Sequence, residues 1–288
     1  MSVLIYGITN SITLALIALG FSLTFGISGI ANFAYGAFYI IGGLLTFELF
    51  IDLGLPYFLS AIIAIGIVGL LGFAFYWGVL LRLRGMLLNE VIATFAVGIA
   101  ILQLLRWKGF YGYRYALPVF VKGSVEIGGV AVDYQRLFII GVGVILVLFI
   151  YLFTHHTRVG LSFRGIAQNE RTAISLGIES DWTGALSLAF GSALAAVAAI
   201  MILPLGIIDV NQGYDVLIYA LAVGILGGLE SIPGIIMAAF VLGFSQILMA
   251  TFFKAEWMIV IILLAIILVL ALRPSGILGK SKELEERV

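Results

Sequence analysis

Residues Thr157–Asp181 read TRVGLSFRGIAQNERTAISLGIESD, with Arg158, Arg164, Glu170, Arg171, Glu179 and Asp181 crowded into one short segment. Apolar runs at 136–154 and 183–205 flank it on both sides. Each run has the length of a helix that crosses the hydrocarbon core. The segment is therefore read as a structured, charged connection between two membrane spans, offered to something in the water.

The rest of the chain has the same character. Of 288 residues, 63% are hydrophobic and 10% charged, and mean hydropathy is +1.23. A soluble domain of this size needs more polar surface. The expected fold is all-α: one polytopic transmembrane domain over residues 1–288, with about eight to ten spans. Candidate spans fall near 4–25, 34–51, 57–81, 90–107, 136–154, 183–205, 216–229, 233–253 and 256–272. The short alternating segments of a membrane β-barrel are missing. Cysteine is absent, which removes disulfides, a thiol nucleophile and thiolate metal sites. The first basic residue is Arg82, so the basic start of a cleavable signal is not expected.

Charge distribution suggests a topology. Arg82 and Arg84, the segment 158–181 and the tail 273–288 together hold nine Lys and Arg, against six elsewhere, mostly near a 107–135 loop. The positive-inside rule makes the nine-charge side cytoplasmic. Nine crossings then put the N-terminus outside, and an even number would put it inside.

Two apolar stretches are interrupted by Gly and uncharged polar residues: Phe25–Gly43 (FGISGIANFAYGAFYIIGG) and Pro204–Gly234 (PLGIIDVNQGYDVLIYALAVGILGGLESIPG). Broken segments in both halves of a transporter point to a midplane site. They also fit plain loops with small-residue packing, and both readings stand. Asn32, Tyr35 and Tyr219 within them are the candidates for a translocation path, beside the simpler reading of helix–helix hydrogen bonding. Ser187, Gly191, Ala195 and Ala199 share one helix face, and Gly224 and Gly228 form GxxxG; both suit close packing. Asp209 and Asp215, with Asn211 and Gln212, read as an outer loop that is either hydrated or meets a basic partner surface.

Within the charged segment, Asn169 is a good N-cap and Gly177 a good C′ residue. ERTAISL between them predicts a helix of about two turns. Glu170 suits its positive end. Ala173 and Ile174 form an apolar edge, and Gln168, Arg171, Thr172 and Ser175 a polar one. The expectation is a short docking helix, parallel to the membrane at its cytoplasmic face. A solvated connector is the plainer alternative.

Four stretches, in order, resemble the permease subunit of a branched-chain amino acid ATP-binding-cassette importer, the shorter of that system's two permeases. They are Gly20–Gly36 (GFSLTFGISGIANFAYG), the charged segment, Leu226–Gly234 (LGGLESIPG) and Arg273–Lys280 (RPSGILGK). The resemblance implies a prokaryotic inner-membrane protein without a cofactor. It implies four partners: a second permease subunit, two cytoplasmic ATPase subunits and an extracytoplasmic substrate-binding protein. It makes 158–181 the cytoplasmic coupling loop, with the coupling helix at Asn169–Leu176; Glu170, Ala173 and Gly177 match the motif, and Asn169 and Arg171 complete the set. Arg158 and Arg164 are left for lipid phosphates or ATPase carboxylates. Relatives of such a permease carry leucine, isoleucine and valine, or urea, short amides and other amino acids. Two positions depart from the pattern: Tyr35 stands where His is common, and Glu230 where a small Gly is common.

Other chemistry finds little support. Gly279–Ser281 (GKS) lacks the Gly of a phosphate loop, since Pro274 stands there, and no strand precedes it. His155 and His156 are adjacent and point about 100° apart on a helix, which suits an interface better than a metal. An ion-coupled carrier or channel would place acids deep in the spans, whereas Glu48, Glu90, Glu230 and Glu256 fall near span ends. A scaffold without transport would not need a capped helix. Nothing points to nucleic acid.

Overall fold

A computed structural model describes residues 2–29, 32–110, 116–206, 208–254, 256–273 and 276–279. The helices are α1 (Ser2–Ser28), α2 (Tyr35–Ile51), α3 (Tyr57–Phe75), α4 (Leu81–Leu83), α5 (Leu87–Trp107), α6 (Tyr134–His156), α7 (Arg158–Gln168), α8 (Glu170–Ser175), α9 (Ser180–Ile202), α10 (Gln212–Gly227), α11 (Ile232–Phe252) and α12 (Trp257–Leu272). A π-helical turn, Tyr76–Leu80, joins α3 to α4, and a 3₁₀ turn, Leu203–Leu205, follows α9. Among the described residues, six helices are long and apolar enough to span a membrane, and α2, α10 and α12 are shorter apolar helices. Each of the nine predicted spans is met by one of these helices. The chain is a multi-pass membrane protein.

Small residues set the packing. α9 lies between α1 and α3, and Ser187, Gly191, Ala195 and Ala199 are all buried on it. Gly191 faces Thr24 and the Gly20 carbonyl with no room for a Cβ, and Gly72 faces Leu188 and Ser192 in the same way. Lipid supplies no hydrophobic drive between helices, so close backbone approach and interhelical hydrogen bonds must hold them together. One such bond ties α1 to α11: Asn10 Nδ2 donates to Gln246 Oε1 at 2.7 Å.

The two interrupted stretches meet. Phe33 and Ala34 pack on Gly98, midway along α5, and the Tyr35 hydroxyl lies over Gly20, well before the end of α1. Thus α2 begins inside the bundle rather than at its end. α10 begins beside it, where Gly36 and Gly213 approach so closely that a Cβ on Gly36 would strike the Gly213 carbonyl. The starts of two short helices therefore share one buried level.

Several sequence expectations change. The 107–135 loop carries a hairpin, β1 (Ser124–Ile127) against β2 (Val130–Asp133), antiparallel with Ser124 opposite Asp133. Its Gly128-Gly129 turn is the usual hairpin signal. Asp215 lies in the first turn of α10 rather than in a loop. Along the Gly224–Gly228 stretch, Gly224 meets Leu229 of its own turn, Gly227 meets Gly234 of α11, and Gly228 meets Gly276 of the segment after α12.

Candidate functional site

The charged segment folds as two helices, where the sequence predicts one. Thr157 caps α7, its Oγ1 accepting from Gly160 N–H at 3.0 Å. α7 turns Phe163 and Ile166 inward. Phe163 packs edge-on against Phe153 of α6 and Phe190 of α9, with centroids 6.0 and 6.2 Å apart. The spacing of Val159, Phe163 and Ile166 is a helical apolar stripe, a signal that the nearby charges obscure.

Asn169 separates the two helices with an extended backbone, φ −157° and ψ 105°. Its N–H closes α7 on Gly165 O, and its Oδ1 accepts from Thr172 N–H at 2.9 Å to open α8. Such a cap is worth about 1 kcal/mol. At the other end Gly177 N–H reaches Ile174 O at 2.9 Å and Ile178 N–H reaches Ala173 O at 3.1 Å, a Schellman closure. Gly177 has φ +87°, where a side chain is strained. The apolar edge is split. Ala173 is buried beside Gly165, while Ile174 is 50% and Leu176 78% exposed. Arg171 is exposed with them.

Glu170 is tied to distant parts of the chain. The Arg84 guanidinium bridges Glu170 Oε1 through Nη2 and Asp181 Oδ1 through Nη1. Ser180 Oγ donates to Glu170 Oε1 at 2.5 Å, and Tyr76 Oη donates to Asp181 at 3.4 Å. The start of α8, the start of α9 and the chain just beyond α4 are thus joined at one cation. The Ser180 hydrogen bond, opposed by partial desolvation and reinforced by Arg84, holds the Glu170 carboxyl below the usual carboxylate range. Sequence reasoning places Glu170 at the helix end and in the coupling motif but gives it no ionic partner, because nothing local announces one 86 residues away.

A cavity of about 440 Å³ opens behind α7, and all four stretches that carry the resemblance line it. Ser22, Leu23 and Gly26 come from α1, Phe163, Arg164 and Gln168 from α7, Leu229–Pro233 from the α10–α11 turn, and Leu278 from the C-terminal motif. Backbone bonds explain the convergence. Ser22 Oγ donates to Leu229 O, Ile277 N–H to Leu226 O at 2.8 Å, and Leu278 N–H to Gly227 O at 3.3 Å. The segment after α12 therefore satisfies the last carbonyls of α10, which a helix end leaves open. Pro274, Ser275 and residues 280–288, with the GKS lysine, lie outside the described residues. His155 stacks on Tyr151 at 4.3 Å between centroids, and its Nδ1 donates to the Tyr151 carbonyl.

Asn32 and Tyr35 come together and Tyr219 stands apart. Asn32 is fully buried, its Oδ1 accepts from Ala34 N–H at 3.1 Å, and its Nδ2 has no partner among the described residues. Tyr35 is fully buried edge-on to Phe21, 5.9 Å between centroids, with its hydroxyl unpartnered among the described residues. Tyr219, on α10, packs with a second cluster built on α1, α10 and α11. Arg106 at the end of α5 donates to Asn211 Oδ1 at 2.5 Å, beside Asp209.

This architecture, a multi-pass helical bundle with two short helices that begin inside it and a capped pair of helices between α6 and α9, defines an all-α polytopic membrane protein. The same fold occurs in a solved chain described as PsaBC from Streptococcus pneumoniae in complex with Fab. The TM-score is 0.53, with 14% identity, covering 96% of this chain and 93% of that one. Residues 3–271 match the family described as branched-chain amino acid transport system / permease component. The high-affinity branched-chain amino acid transport system permease protein BraD of Pseudomonas aeruginosa is 32% identical, over 96% of this chain and 95% of its own. The corresponding LivH of Escherichia coli K12 is 29% identical over 95% and 94%, and a probable LivH of Methanocaldococcus jannaschii 26% over 92% and 88%. The chain belongs to the branched-chain amino acid transport permease family.

Proposed function

We propose that this chain is one permease subunit of a binding-protein-dependent importer for branched-chain amino acids, driven by ATPase subunits on its cytoplasmic side. The observation that carries the reading is the build of α8. It is closed at both ends, anchored through Ala173 and Glu170, and it still presents Arg171, Ile174 and Leu176 outward. A connector has no use for an anchored helix with exposed apolar residues. A helix that must receive a push from a partner needs both the anchor and the exposed face.

In this reading residues 158–181 are the cytoplasmic coupling loop of a single transmembrane domain, and 273–288 are its cytoplasmic tail. Asn169, Glu170, Arg171, Ala173 and Gly177 form the coupling element. Motion of α8 passes to α9 through the peptide chain and to the end of α3 through Arg84. ATP is bound and hydrolysed by the partners, and an extracytoplasmic protein delivers the substrate. A second permease, joined in a heterodimer, completes the membrane pathway. Asn32 is the path residue best supported, because an unpaired buried amide donor costs about 1–3 kcal/mol unless something uses it. Tyr35 lies beside Asn32 on that path, and Tyr219 belongs to it at a separate level on α10.

The reading is tested by uptake of labelled leucine in cells lacking the chain and in the same cells with the gene restored, with labelled urea as the competing substrate. Leucine uptake that depends on the chain, with urea uptake unaffected, is expected. Urea uptake restored in place of leucine overturns the substrate, and uptake insensitive to loss of the ATPase partners overturns the mechanism.

A further inference from the structure

The cavity of about 440 Å³ behind α7 is a cleft between two membrane helices. Away from the loop both helices seat on α1: Gly143 of α6 packs on Ile12, and Gly243 of α11 packs on Ser11. Toward the end of α1 they part. Ile150 and Tyr151 of α6 line one wall, Ile232 and Pro233 of α11 the other, and Leu19 and Leu23 of α1 the floor. Phe163 of α7 closes the cleft at the loop end. Leu19, Ile150 and Phe163 are 2%, 3% and 1% exposed, so the inner surface is apolar and out of reach of bulk lipid. Tyr151 and Pro233, on the edges of the two walls, are exposed. The cleft therefore opens sideways between α6 and α11, beside outward-facing Leu148, Leu152 and Met237.

Its mouth carries charge of one sign. α7 has two Arg and no acid, and neither the Arg158 nor the Arg164 guanidinium has a partner among the described residues. Arg164 is exposed and lines the cleft, with Gln168 one turn further along α7. Among the described lining residues it is the one Arg or Lys. Glu230 lines the cleft too, but it already takes part in an interaction within the chain and is not left over for a ligand. Tyr151, stacked on His155, stands at the same mouth. An aromatic ring with a polar tip at such a boundary marks the depth of lipid headgroups.

We propose that this cleft binds one anionic glycerophospholipid from the leaflet on the loop-bearing side. Its phosphate meets Arg164, and one acyl chain runs between α6 and α11 onto Leu19, Leu23 and Phe163. A small soluble anion would satisfy Arg164 and leave the apolar floor unfilled. A neutral hydrocarbon would fill the floor and take water from the guanidinium without giving it a counterpart, which is costly. A phospholipid does both. Its chain leaves one apolar medium for another, so the choice among lipids rests on the headgroup. Basic pockets between membrane helices select anionic headgroups for this reason. The occupant lies between α7 and α1, at the base of the α7–α8 pair.

The test is photo-crosslinking of the complete transporter in phosphatidylcholine nanodiscs that contain a small fraction of phosphatidylglycerol with a diazirine midway along one acyl chain. Labelled residues of this chain are mapped by mass spectrometry. Label is expected on Leu19, Ile150 or Phe163, which bulk lipid does not touch, as well as on outward-facing Ile267 of α12, which serves as the reference. Unlabelled phosphatidylglycerol should remove the cleft label about fivefold more effectively than added phosphatidylcholine, and Arg164→Gln should lower it about fivefold relative to Ile267. Label confined to outward-facing positions overturns the proposal. Equal competition by the two lipids overturns the anionic class. Displacement by inorganic phosphate as effective as by phosphatidylglycerol makes the cleft a soluble-anion site and overturns the lipid. Wild-type labelling in Arg164→Gln overturns the role of that residue. The competition series is read on the unmodified protein, so a variant that fails to fold does not decide the outcome. The binding does not rest on the importer reading, which leucine uptake decides separately.

Discussion

Arg84 and Glu170 lie 86 residues apart and form an ion pair that fastens the first turn of α8 to the chain just beyond α4. The same guanidinium holds Asp181 at the start of α9. Both carboxylates and the guanidinium are about 36–47% exposed, so solvent screens each pair and each is worth about 0.2–1 kcal/mol. Their importance is directional rather than energetic. They make α8 part of the α3–α9 body, so that a force on α8 reaches two membrane helices together.

Replacing Arg84 by Ala should therefore change thermal stability little and coupling strongly. The expected result in proteoliposomes is a severalfold rise in ATP hydrolysed per leucine imported, with the melting temperature lowered by only a few degrees. The double replacement Arg84→Glu with Glu170→Arg should recover part of the lost coupling. Asp181 then repels the carboxylate newly placed at position 84, which keeps the recovery incomplete.

The pH dependence follows from the sign of the Glu170 shift. Its carboxyl is held below the ordinary range, so its contribution is fully present above the unfolded value of about 4.3 and is lost only as pH falls through the lower folded value. The chain has no native cysteine, so Leu176→Cys gives a single exposed labelling site on α8. A spin label there should keep constant mobility from neutral pH down to about 5 and loosen only below the ordinary carboxylate pKa. In a Glu170→Gln background that acid transition should disappear.

The level at which α2 and α10 begin depends on backbone contact between Gly36 and Gly213. Gly36→Val should cost about 1–3 kcal/mol through overpacking and lower the melting temperature clearly. Gly141 meets nothing within reach of a Cβ, and Gly141→Ala should leave the melting temperature unchanged. Equal melting of the two variants would contradict the contact.

Asn32 separates a path role from a packing role. Asn32→Leu removes a buried donor without a partner among the described residues and loses one hydrogen bond to Ala34 N–H, so stability should move by no more than about 1 kcal/mol. Leucine uptake should nevertheless fall severalfold while the ATPase subunits stay bound. Unchanged uptake would assign Asn32 to packing.

Much of this fold was legible because lipid imposes simple rules. Spans are long apolar runs, and small residues such as Gly191 and Ala195 mark close helix seams. The caps of α8 were legible for a similar reason, since Asn169 and Gly177 act on their own backbone. What escaped the sequence was contact between distant residues. The Arg84 bridge, the Ile277 bond to the end of α10 and the meeting of Gly36 with Gly213 carry no local signal. The extent of α7 was not legible because Arg158 and Arg164 interleave with the buried stripe at Phe163 and Ile166. The apolar edge of α8 pairs Ile174 with Ala173 in the sequence, but neighbouring helical residues point about 100° apart, and only Ala173 has Gly165 to pack against.

In the proposed function α8 transmits ATP-driven motion to the membrane helices. This transmission is tested most directly by the number of ATP molecules hydrolysed per leucine imported, measured in proteoliposomes with the complete transporter carrying Glu170→Ala and Gly177→Val in this chain. The variant chain is expected to remain in the membrane at the wild-type level while that ratio rises at least tenfold. A wild-type ratio would contradict it.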